Sequence, residues 1–251
     1  MVIETASLSL QGLRHSNQDR IFLVHQPGSQ KVIAGVADGL GGMFAGDKAA
    51  EIAVDTLREW SEPLFSAMER GFSEISDFLM QAYQVANDRI RSFSNAQGKP
   101  NEAGTTLTVW IADGPRCLTA NIGDSRCYSI GQTVRQITRD HSVADELMSQ
   151  GILSPKEFAT SPLRHQLTQS LGTRVYVDPD IFPVDQFEEM IPGQTVLLCS
   201  DGFYANLGEE DLHGLEAAAD LDGELRRLAD ESLDRGSTDN ISAIVIRTNK
   251  K

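Results

Sequence analysis

The chain begins with short segments in which hydrophobic and polar residues alternate or apolar residues run together. Residues 2–10 alternate, and residues 21–25 and 31–37 are mostly apolar. Both patterns are typical of strands. They predict three strands that open the fold in an antiparallel arrangement, with a turn at 27–29 between the second and the third.

The apolar spacing changes from Ala45 onwards, where hydrophobic residues recur three and four positions apart. This period is typical of helices that bury one face. A first helix carries Ala50, Ala53, Leu57 and Trp60 on that face. A second, longer helix carries Phe72, Ile75, Leu79, Ala82, Ala86, Ile90 and Phe93. We interpret both faces as core contacts rather than cofactor-binding surfaces.

The centre of the chain has four short β-rich runs, separated by Gly, Asp or Pro at close intervals. Such spacing predicts a meander of antiparallel strands and leaves no room for βαβ crossovers. The four runs are 104–112, 115–123, 125–131 and 133–138.

The C-terminal part alternates between polar and apolar segments. Residues 141–170 are polar and interrupted by Gly and Pro, so we expect a partly helical, mobile excursion over the surface. The apolar run 194–199 predicts a buried strand. Helical patterns cover roughly 209–234, and residues 240–246 predict a closing strand.

Length and charge limit the possible functions. A chain of 251 residues can bury one sizeable core, and because no linker or repeat divides it, we expect a single domain over residues 1–251. The formal net charge of -14 argues against nucleic acid or an anionic membrane as the main partner. The N-terminal residues lack a secretory signal pattern, and no run approaches the ~20 apolar residues of a membrane span. We therefore expect a cytoplasmic protein, and a monomer.

The three cysteines give no sign of a disulfide framework or a zinc site. Cys117, Cys127 and Cys199 are odd in number and widely spaced, without a CxxC pair. We expect each of them to be a small core residue.

Aspartates stand at the ends of predicted strands. Asp38, Asp201 and Asp239 each adjoin an apolar strand, and Asp19 and Asp124 lie at further strand boundaries. Carboxylates gathered at one sheet edge repel each other unless cations lie between them. Because the ligands would all be oxygens, Mg²⁺ or Mn²⁺ is favoured over zinc. For Asp38 alone, an ordinary Asp-Gly turn is the alternative.

Eight short motifs follow one another along the chain. They are Arg14-x-x-Asn17-x-Asp19, VADGLGG (36–42), GTTLTV (104–109), IGDSR (122–126), RDHS (139–142), LTQSLG (167–172), CSDGFY (199–204) and STDNISAIV (237–245). Each is weak alone. In their order and spacing they resemble the metal-dependent Ser/Thr protein phosphatases, the PPM or protein phosphatase 2C family, in its compact bacterial form. The resemblance covers essentially the whole chain.

The resemblance implies an α+β fold, a four-layer αββα sandwich with two central antiparallel β-sheets flanked by helices. It implies one catalytic domain with a flap at about 141–170. It also implies hydrolysis of phosphoserine and phosphothreonine in proteins by a metal-bridged hydroxide, opposing a partner Ser/Thr kinase.

Carried onto matching positions, the family pattern implies two core Mn²⁺ or Mg²⁺ ions and a third, weaker one. Asp38 resembles the bridging ligand and is a catalytic residue in this sense. Asp124 resembles the ligand of the third ion, shared with Asp201. The implied metal ligands are Asp19, Asp38, Gly39, Asp124, Asp201 and Asp239.

Arg14 resembles the residue that clamps the phosphate, a role that suits a guanidinium because it can engage two oxygens at once. The alternative is a surface ion pair with Asp19. We expect Asn240 to contact substrate beside Arg14. His141, His165 and Arg164 are further candidates for substrate contact, with structural roles as the alternative.

Two positions depart from the family pattern. Met43 stands where bacterial relatives usually have a histidine proposed as the acid for the leaving oxygen, so we expect reduced but not abolished turnover. Gln18 stands where an acid is usual, and we expect weaker binding of the second ion.

Two hypotheses from other functional classes are alternatives to an enzyme. Residues 41–48 superficially resemble a nucleotide-binding loop, but Asp47 separates Gly46 from Lys48 and Ala49 replaces the required hydroxyl. A phosphatase fold that only binds its target is the second reading. The intact set of Asp38, Asp201 and Asp239 favours an active enzyme.

Overall fold

The computed structural model describes residues 2–26, 28–114, 116–183 and 195–249. Within these residues the strands form two antiparallel sheets of five strands each. The first sheet comprises β1 (Val2–Leu10), β6 (Arg126–Ile130), β7 (Val134–Gln136), β9 (Thr195–Cys199) and β10 (Ile241–Asn249). The second sheet comprises β2 (Asp19–His25), β3 (Lys31–Asp38), β4 (Leu107–Asp113), β5 (Arg116–Ile122) and β8 (Asp180–Pro183).

Helices cover the outer face of each sheet. Against the second sheet lie α1 (Gly46–Glu59), α2 (Ser61–Arg70) and α3 (Phe72–Ala96). Against the first sheet lie α6 (Asp201–Tyr204), α7 (Glu209–Leu212), α8 (Gly214–Ala217) and α9 (Leu221–Asp234). Between β7 and β8 the chain forms α4 (Val143–Ser149), α5 (Pro155–Thr160) and a 3-10 turn (Pro162–His165).

Strand β3 shows how the layers are built. Val32, Ala34 and Val36 pack between the two sheets, whereas Ile33 and Ala37 pack against the helices on the other face. A strand covered on both faces reads as a continuous apolar run because neither side meets water. The predicted α+β sandwich of four layers, αββα, is confirmed.

The predicted meander is wrong at one connection. Strands β4 and β5 pair with each other in the second sheet, and β6 and β7 pair in the first. The chain crosses between the sheets at Gly123, whose φ is +104° and whose position would bring a Cβ within 2.5 Å of the Thr106 side chain. Glycine is required there because only a residue without Cβ fits this conformation and approach.

The antiparallel opening is confirmed for β2 and β3 but not for β1. Leu10 lies opposite Ile241, so β1 pairs with β10 rather than with β2. The alternation of a strand shows which face is buried but carries no information about a partner 230 residues away. Pro27 in the predicted turn, Pro115 and Gln194 lie outside the described residues.

Several short elements lack a clear period in the sequence. The predictions missed α2, α6 and the edge strand β8, which has only four residues. The helical spacing predicts Phe72 on the packed face of α3, but its side chain is 43% exposed because it is the first residue of that helix. The excursion over 141–170 is partly helical, as predicted, and its mobility stays a prediction.

The cysteine prediction is confirmed, since Cys117, Cys127 and Cys199 are all buried and free of disulfides. In the described ranges, none of the helices has both the length and the apolar character that crossing a membrane requires.

Candidate metal centre

Asp19 and Asp38 are brought together by the pairing of β2 and β3. They lie directly opposite each other in the register, at the end of the hairpin away from the turn. Asp19 is only 2% exposed, and its Oδ2 accepts a hydrogen bond of 2.8 Å from the Ser200 hydroxyl. Its Oδ1 is buried with no hydrogen-bond partner among the described residues. That oxygen is therefore available to a ligand.

Asp201 and Asp239 come from the first sheet. Asp201 begins α6 directly after β9, and its buried Oδ1 also has no partner in the described part of the chain. The two aspartates are held side by side because Gly202 packs on the backbone beside Asp239. A Cβ at Gly202 would lie 2.0 Å from the carbonyl oxygen of Asn240. Only glycine permits this approach.

Asp124 lies on the crossing between the sheets and is 7% exposed. The Tyr204 hydroxyl donates to its backbone carbonyl at 2.9 Å. The Arg126 guanidinium lies 3.9 Å from the centre of the Tyr204 ring and makes a bidentate pair with the buried Asp140. This network fixes the backbone of Asp124 relative to the helix that begins at Asp201.

The pKa values of the acids show that they share one electrostatic environment. Burial, and then the neighbouring carboxylates of Asp19 and Asp201, hold the pKa of Asp38 well above its usual value. Burial raises the pKa of Asp19 to about 6, although hydrogen bonds from Ser242 and Ser200 oppose the shift. Burial and the charge of Asp201 likewise raise the pKa of Asp124. The carboxylates therefore destabilise each other when no cation separates them.

These acids line one concavity, which we call the acid cleft. It has a volume of about 420 Å³, and Asp38, Asp124, Asp201 and Asp239 all contribute to its wall. Asp19 lies beside them, opposite Asp38 on the paired strand. Five of the six predicted metal ligands thus belong to one electrostatic cluster, and the sixth, Gly39, follows Asp38 directly.

The donor set suits divalent cations. Two buried carboxylate oxygens lack partners, and all the donors are oxygens, as Mg²⁺ and Mn²⁺ prefer. In the described residues, however, no three acidic, histidine or cysteine side chains are already arranged to hold an ion. The acids share a cleft without forming a closed cage, and the ligand assignment stays a prediction.

Arg14 explains part of this open arrangement. Its Nη2 lies 2.6 Å from Oδ2 of Asp239, and its side chain is 49% exposed. The carboxylate of Asp239 is thus turned towards the guanidinium. The alternative considered for Arg14, an ion pair with Asp19, is wrong because Asp19 is buried against Ser200.

Asn240 uses its amide to hold the segment that carries Arg14. Its Nδ2 donates to the carbonyls of Gln11 and Ser16, and its Oδ1 accepts from the Gln18 N–H. These contacts favour a positioning role, and direct contact with substrate stays a prediction.

The two histidine candidates differ in position. His141 is 6% exposed, accepts from the Gly123 N–H, and lies 3.2 Å from a carboxylate oxygen of Asp180. This favours a structural role. His165 lines the acid cleft, with Nδ1 3.8 Å from Oδ2 of Asp201.

A second concavity continues from the acid cleft on the side of Arg14. We call it the glycine groove, because Gly41, Gly42, Gly202 and Gly236 contribute to its wall. Arg14 and Arg164 line it, and its volume is about 640 Å³. The two concavities share Gly41, His165, Asp201 and Asp239. Asp201 and Asp239 therefore lie where the two concavities meet.

Both departures from the family pattern lie beside the acids. Met43 lines the acid cleft. The Gln18 carbonyl accepts from the Gly39 N–H at 3.2 Å, so Gln18 adjoins the turn after Asp38. Sequence reasoning missed Ser200 and Tyr204, which hold Asp19 and Asp124. The only signal was their proximity to Asp201 in the motif CSDGFY.

Comparison with known proteins gives consistent results. A family model described as protein phosphatase 2C matches residues 14–242. The serine/threonine phosphatase stp of Listeria innocua is 32% identical over 242 residues, which cover 94% of this chain and 92% of the relative.

Solved structures of bacterial Ser/Thr phosphatases share the fold, and two of them serve as examples. The serine/threonine phosphatase of S. agalactiae superposes with a TM-score of 0.86 at 28% identity, over 99% of this chain and 100% of the other. The PPM Ser-Thr phosphatase MsPP of Mycobacterium smegmatis, solved in complex with cacodylate, has a TM-score of 0.80 at 32% identity, over 98% of each chain.

Proposed function

The chain belongs to the protein phosphatase 2C family, and from this premise we propose that it hydrolyses phosphoserine and phosphothreonine in proteins with the help of divalent metal ions. The observation that best supports the proposal is the cluster of carboxylates in the acid cleft, where burial and then the neighbouring acids raise the pKa values of Asp38 and Asp124. Like charges in one buried site are costly unless cations neutralise them. In a metal-dependent hydrolase such a cluster binds the catalytic cations.

In this proposal Asp38, Asp201 and Asp239 would hold one ion. Asp38, the Gly39 carbonyl and Asp19 would hold the second, Asp19 in part through water. Mn²⁺ and Mg²⁺ both suit these oxygens. When bound, such ions supply Lewis acidity that makes hydroxide available near neutral pH and neutralises charge on the phosphoryl oxygens.

Asp124 would contribute to a third, weaker site together with Asp201. Its backbone is fixed by Tyr204, which belongs to the helix that Asp201 begins. The backbone of Asp124 is therefore held beside the helix that carries Asp201.

Arg14 would bind the phosphate of the substrate. Its guanidinium is half-exposed on the wall of the glycine groove, beside Asp239, and can engage two phosphoryl oxygens. To do so it exchanges Asp239 for the phosphate, which leaves the Asp239 carboxylate to a cation. Asn240 holds the Arg14 segment in place during this exchange.

The substrates would be proteins phosphorylated on Ser or Thr by a partner kinase. The relatives described above are Ser/Thr phosphatases by name, and they align with nearly the whole chain. We infer one catalytic domain, with residues 141–170 as a flap beside the cleft and a monomeric, cytoplasmic protein as the working form.

A phosphopeptide assay tests the proposal. Phosphothreonine and phosphoserine peptides should be hydrolysed in Mn²⁺, hydrolysis should stop on chelation, and matched phosphotyrosine peptides should react poorly. Asp38→Ala should lower kcat at least ~100-fold, because several kcal/mol of charge stabilisation is lost. Ser76→Ala on the helix layer is a control. Binding of phosphopeptides without hydrolysis would instead support a pure binding module.

A further inference from the structure

Arg174 is a cation on the wall of the acid cleft. Its side chain makes no hydrogen bond or ion pair with any residue that the structure describes, and it is exposed. The other arginines of the groove are engaged. Arg14 binds Asp239, and Arg164 donates to His165 and to the Ala159 carbonyl. In a chain with 36 acidic and 22 basic residues, a cation without an acidic partner is available to a ligand.

The loop that carries Arg174 is held by a buried asparagine of α3. Asn87 is fully buried, and its Oδ1 accepts from the Gly172 N–H at 2.7 Å. Its Nδ2 donates to the carbonyls of Arg174 and Val175, at 2.9 and 3.2 Å. One side chain thus binds the loop on both sides of residue 173. A buried amide must be hydrogen-bonded to avoid a desolvation cost, so this contact is part of the fold.

Two further contacts reinforce the loop. Gln84 donates to the Val175 carbonyl at 2.9 Å and accepts from the Val177 N–H. Gly172 has a φ of +89°, and a Cβ there would lie 2.3 Å from the Ala103 carbonyl oxygen. The backbone under Arg174 is therefore preorganised, which lowers the entropy lost when the guanidinium binds a ligand.

The position of Arg174 along the groove defines what it can meet. The acid cleft and the glycine groove meet at Asp201 and Asp239, so an extended peptide whose phosphate reaches these acids also passes over the walls on either side. Leu40 and Leu167 line the cleft together with Arg174. An extended peptide advances about 3.3 Å per residue. The peptide side chain that meets Arg174 therefore belongs to a residue within a few positions of the phosphorylated residue.

We propose that Arg174 determines substrate specificity by binding an anionic side chain near the phosphorylated residue, an inference that rests on the proposed phosphatase function. The ligand is a carboxylate of Asp or Glu or a second phosphate, since a guanidinium binds either one in a bidentate manner. It acts on substrate binding and not on the reacting atoms.

The test compares phosphothreonine peptides that carry Glu, Gln or a second phosphothreonine at each of the three positions on either side. The wild-type protein should have a KM roughly fivefold to tenfold lower for an anionic group at the favoured position than for Gln, the effect of one charge-assisted contact. Comparing Glu with phosphothreonine distinguishes a carboxylate from a phosphate.

Arg174→Ala should abolish this preference by raising KM for the anionic peptides, with kcat and the KM for the Gln peptides unchanged. Arg174→Glu should reverse it in favour of Lys at the same position. Para-nitrophenyl phosphate, which has no flanking residues, should be hydrolysed equally by all three proteins. Arg226→Ala is the matched control, because Arg226 is a 59% exposed arginine that pairs with Asp230 on α9.

Equal KM values for Glu, phosphothreonine and Gln peptides in the wild-type protein would overturn the inference. So would a loss in Arg174→Ala that extends to para-nitrophenyl phosphate, since that indicates a general structural role. If the wild-type protein hydrolyses no substrate, the proposed function fails. Fluorescence anisotropy with the same peptides then decides whether Arg174 selects anionic ligands.

Discussion

Asp19 and Asp38 lie directly opposite each other on the paired strands β2 and β3, with two carboxylates in one mostly buried environment. The pairing of a two-stranded hairpin fixes their separation, so neither can move away from the other without breaking the sheet. Burial is the main cause that raises the pKa of each of them, the charge of Asp19 adds to the shift of Asp38, and Asp201 and Asp239 add to both shifts. The site therefore lowers the free energy of unfolding of the metal-free protein, and this destabilisation can be measured.

The metal-free protein should become more stable as the pH is lowered from 7 to 5. The pKa of Asp19 is about 6 in the fold, above its ordinary value of 3.8, mainly because the carboxyl is buried. The folded state therefore binds more protons in this window, and the free energy of unfolding rises as the pH falls through 6. Asp19 alone contributes about 1 kcal/mol between pH 7 and pH 5. Urea unfolding at each pH, in the presence of a chelator, measures this change in the free energy of unfolding.

Asp19→Asn is the control for this effect. It should raise the stability of the metal-free protein at pH 7 and remove part of its pH dependence. A stability in chelator that falls steadily from pH 7 to pH 5 would contradict the electrostatic account of the site.

Substitution of Arg14 should separate substrate binding from metal binding. Arg14→Ala removes the ion pair to Asp239 and should lower kcat/KM by about 10- to 100-fold, the loss of one bidentate charged contact. Calorimetric Mn²⁺ affinity should stay unchanged or rise, because the Asp239 carboxylate is released. Arg14→Lys should recover part of the activity. A parallel loss of Mn²⁺ affinity would show that Arg14 only holds the site together.

Met43→His should raise kcat on phosphopeptides by up to about tenfold, because an imidazole in the acid cleft can protonate the leaving oxygen and a thioether cannot. Para-nitrophenyl phosphate should show a much smaller gain, since its leaving group needs no proton. Met43→Leu keeps the volume and is the control. An unchanged rate on phosphopeptides would remove this explanation.

Gln18→Glu should lower the Mn²⁺ concentration for half-maximal activity by roughly threefold to tenfold, since it adds a charge beside the turn after Asp38. The same charge adds repulsion in the absence of metal, so the variant should unfold at a lower temperature in chelator. Gln11→Glu, on the same segment, is a comparison for a general charge effect. If both variants respond equally, the position of Gln18 has no special role.

The sequence predicted the strands that end in aspartate, because a buried apolar run that stops at an acid is a local pattern. It also predicted the hairpin of β2 and β3. It did not predict that Arg14 would pair with Asp239, 225 positions along the chain. That contact depends on how β1 and β10 meet, and the alternation within each strand is the same for many pairings.

Other features of the structure are not indicated by any pattern in the sequence. Nothing in the residues around 174 marks an available arginine, since its availability depends on Asn87 of α3 holding the loop and on the lack of an ion pair with any acid that the structure describes. Phe72 and Phe93 are both predicted on the same face of the helix, yet only Phe93 packs against the core. A helical period shows which residues share a face, and it does not show where the neighbouring layer ends.

The acids of the site come from both sheets. Asp19 and Asp38 lie on strands of the second sheet, whereas Asp201 follows β9 and Asp239 precedes β10 of the first. Cations bound among these acids would cross-link the two sheets. Partial unfolding of either sheet should therefore release the ions before the rest of the protein unfolds.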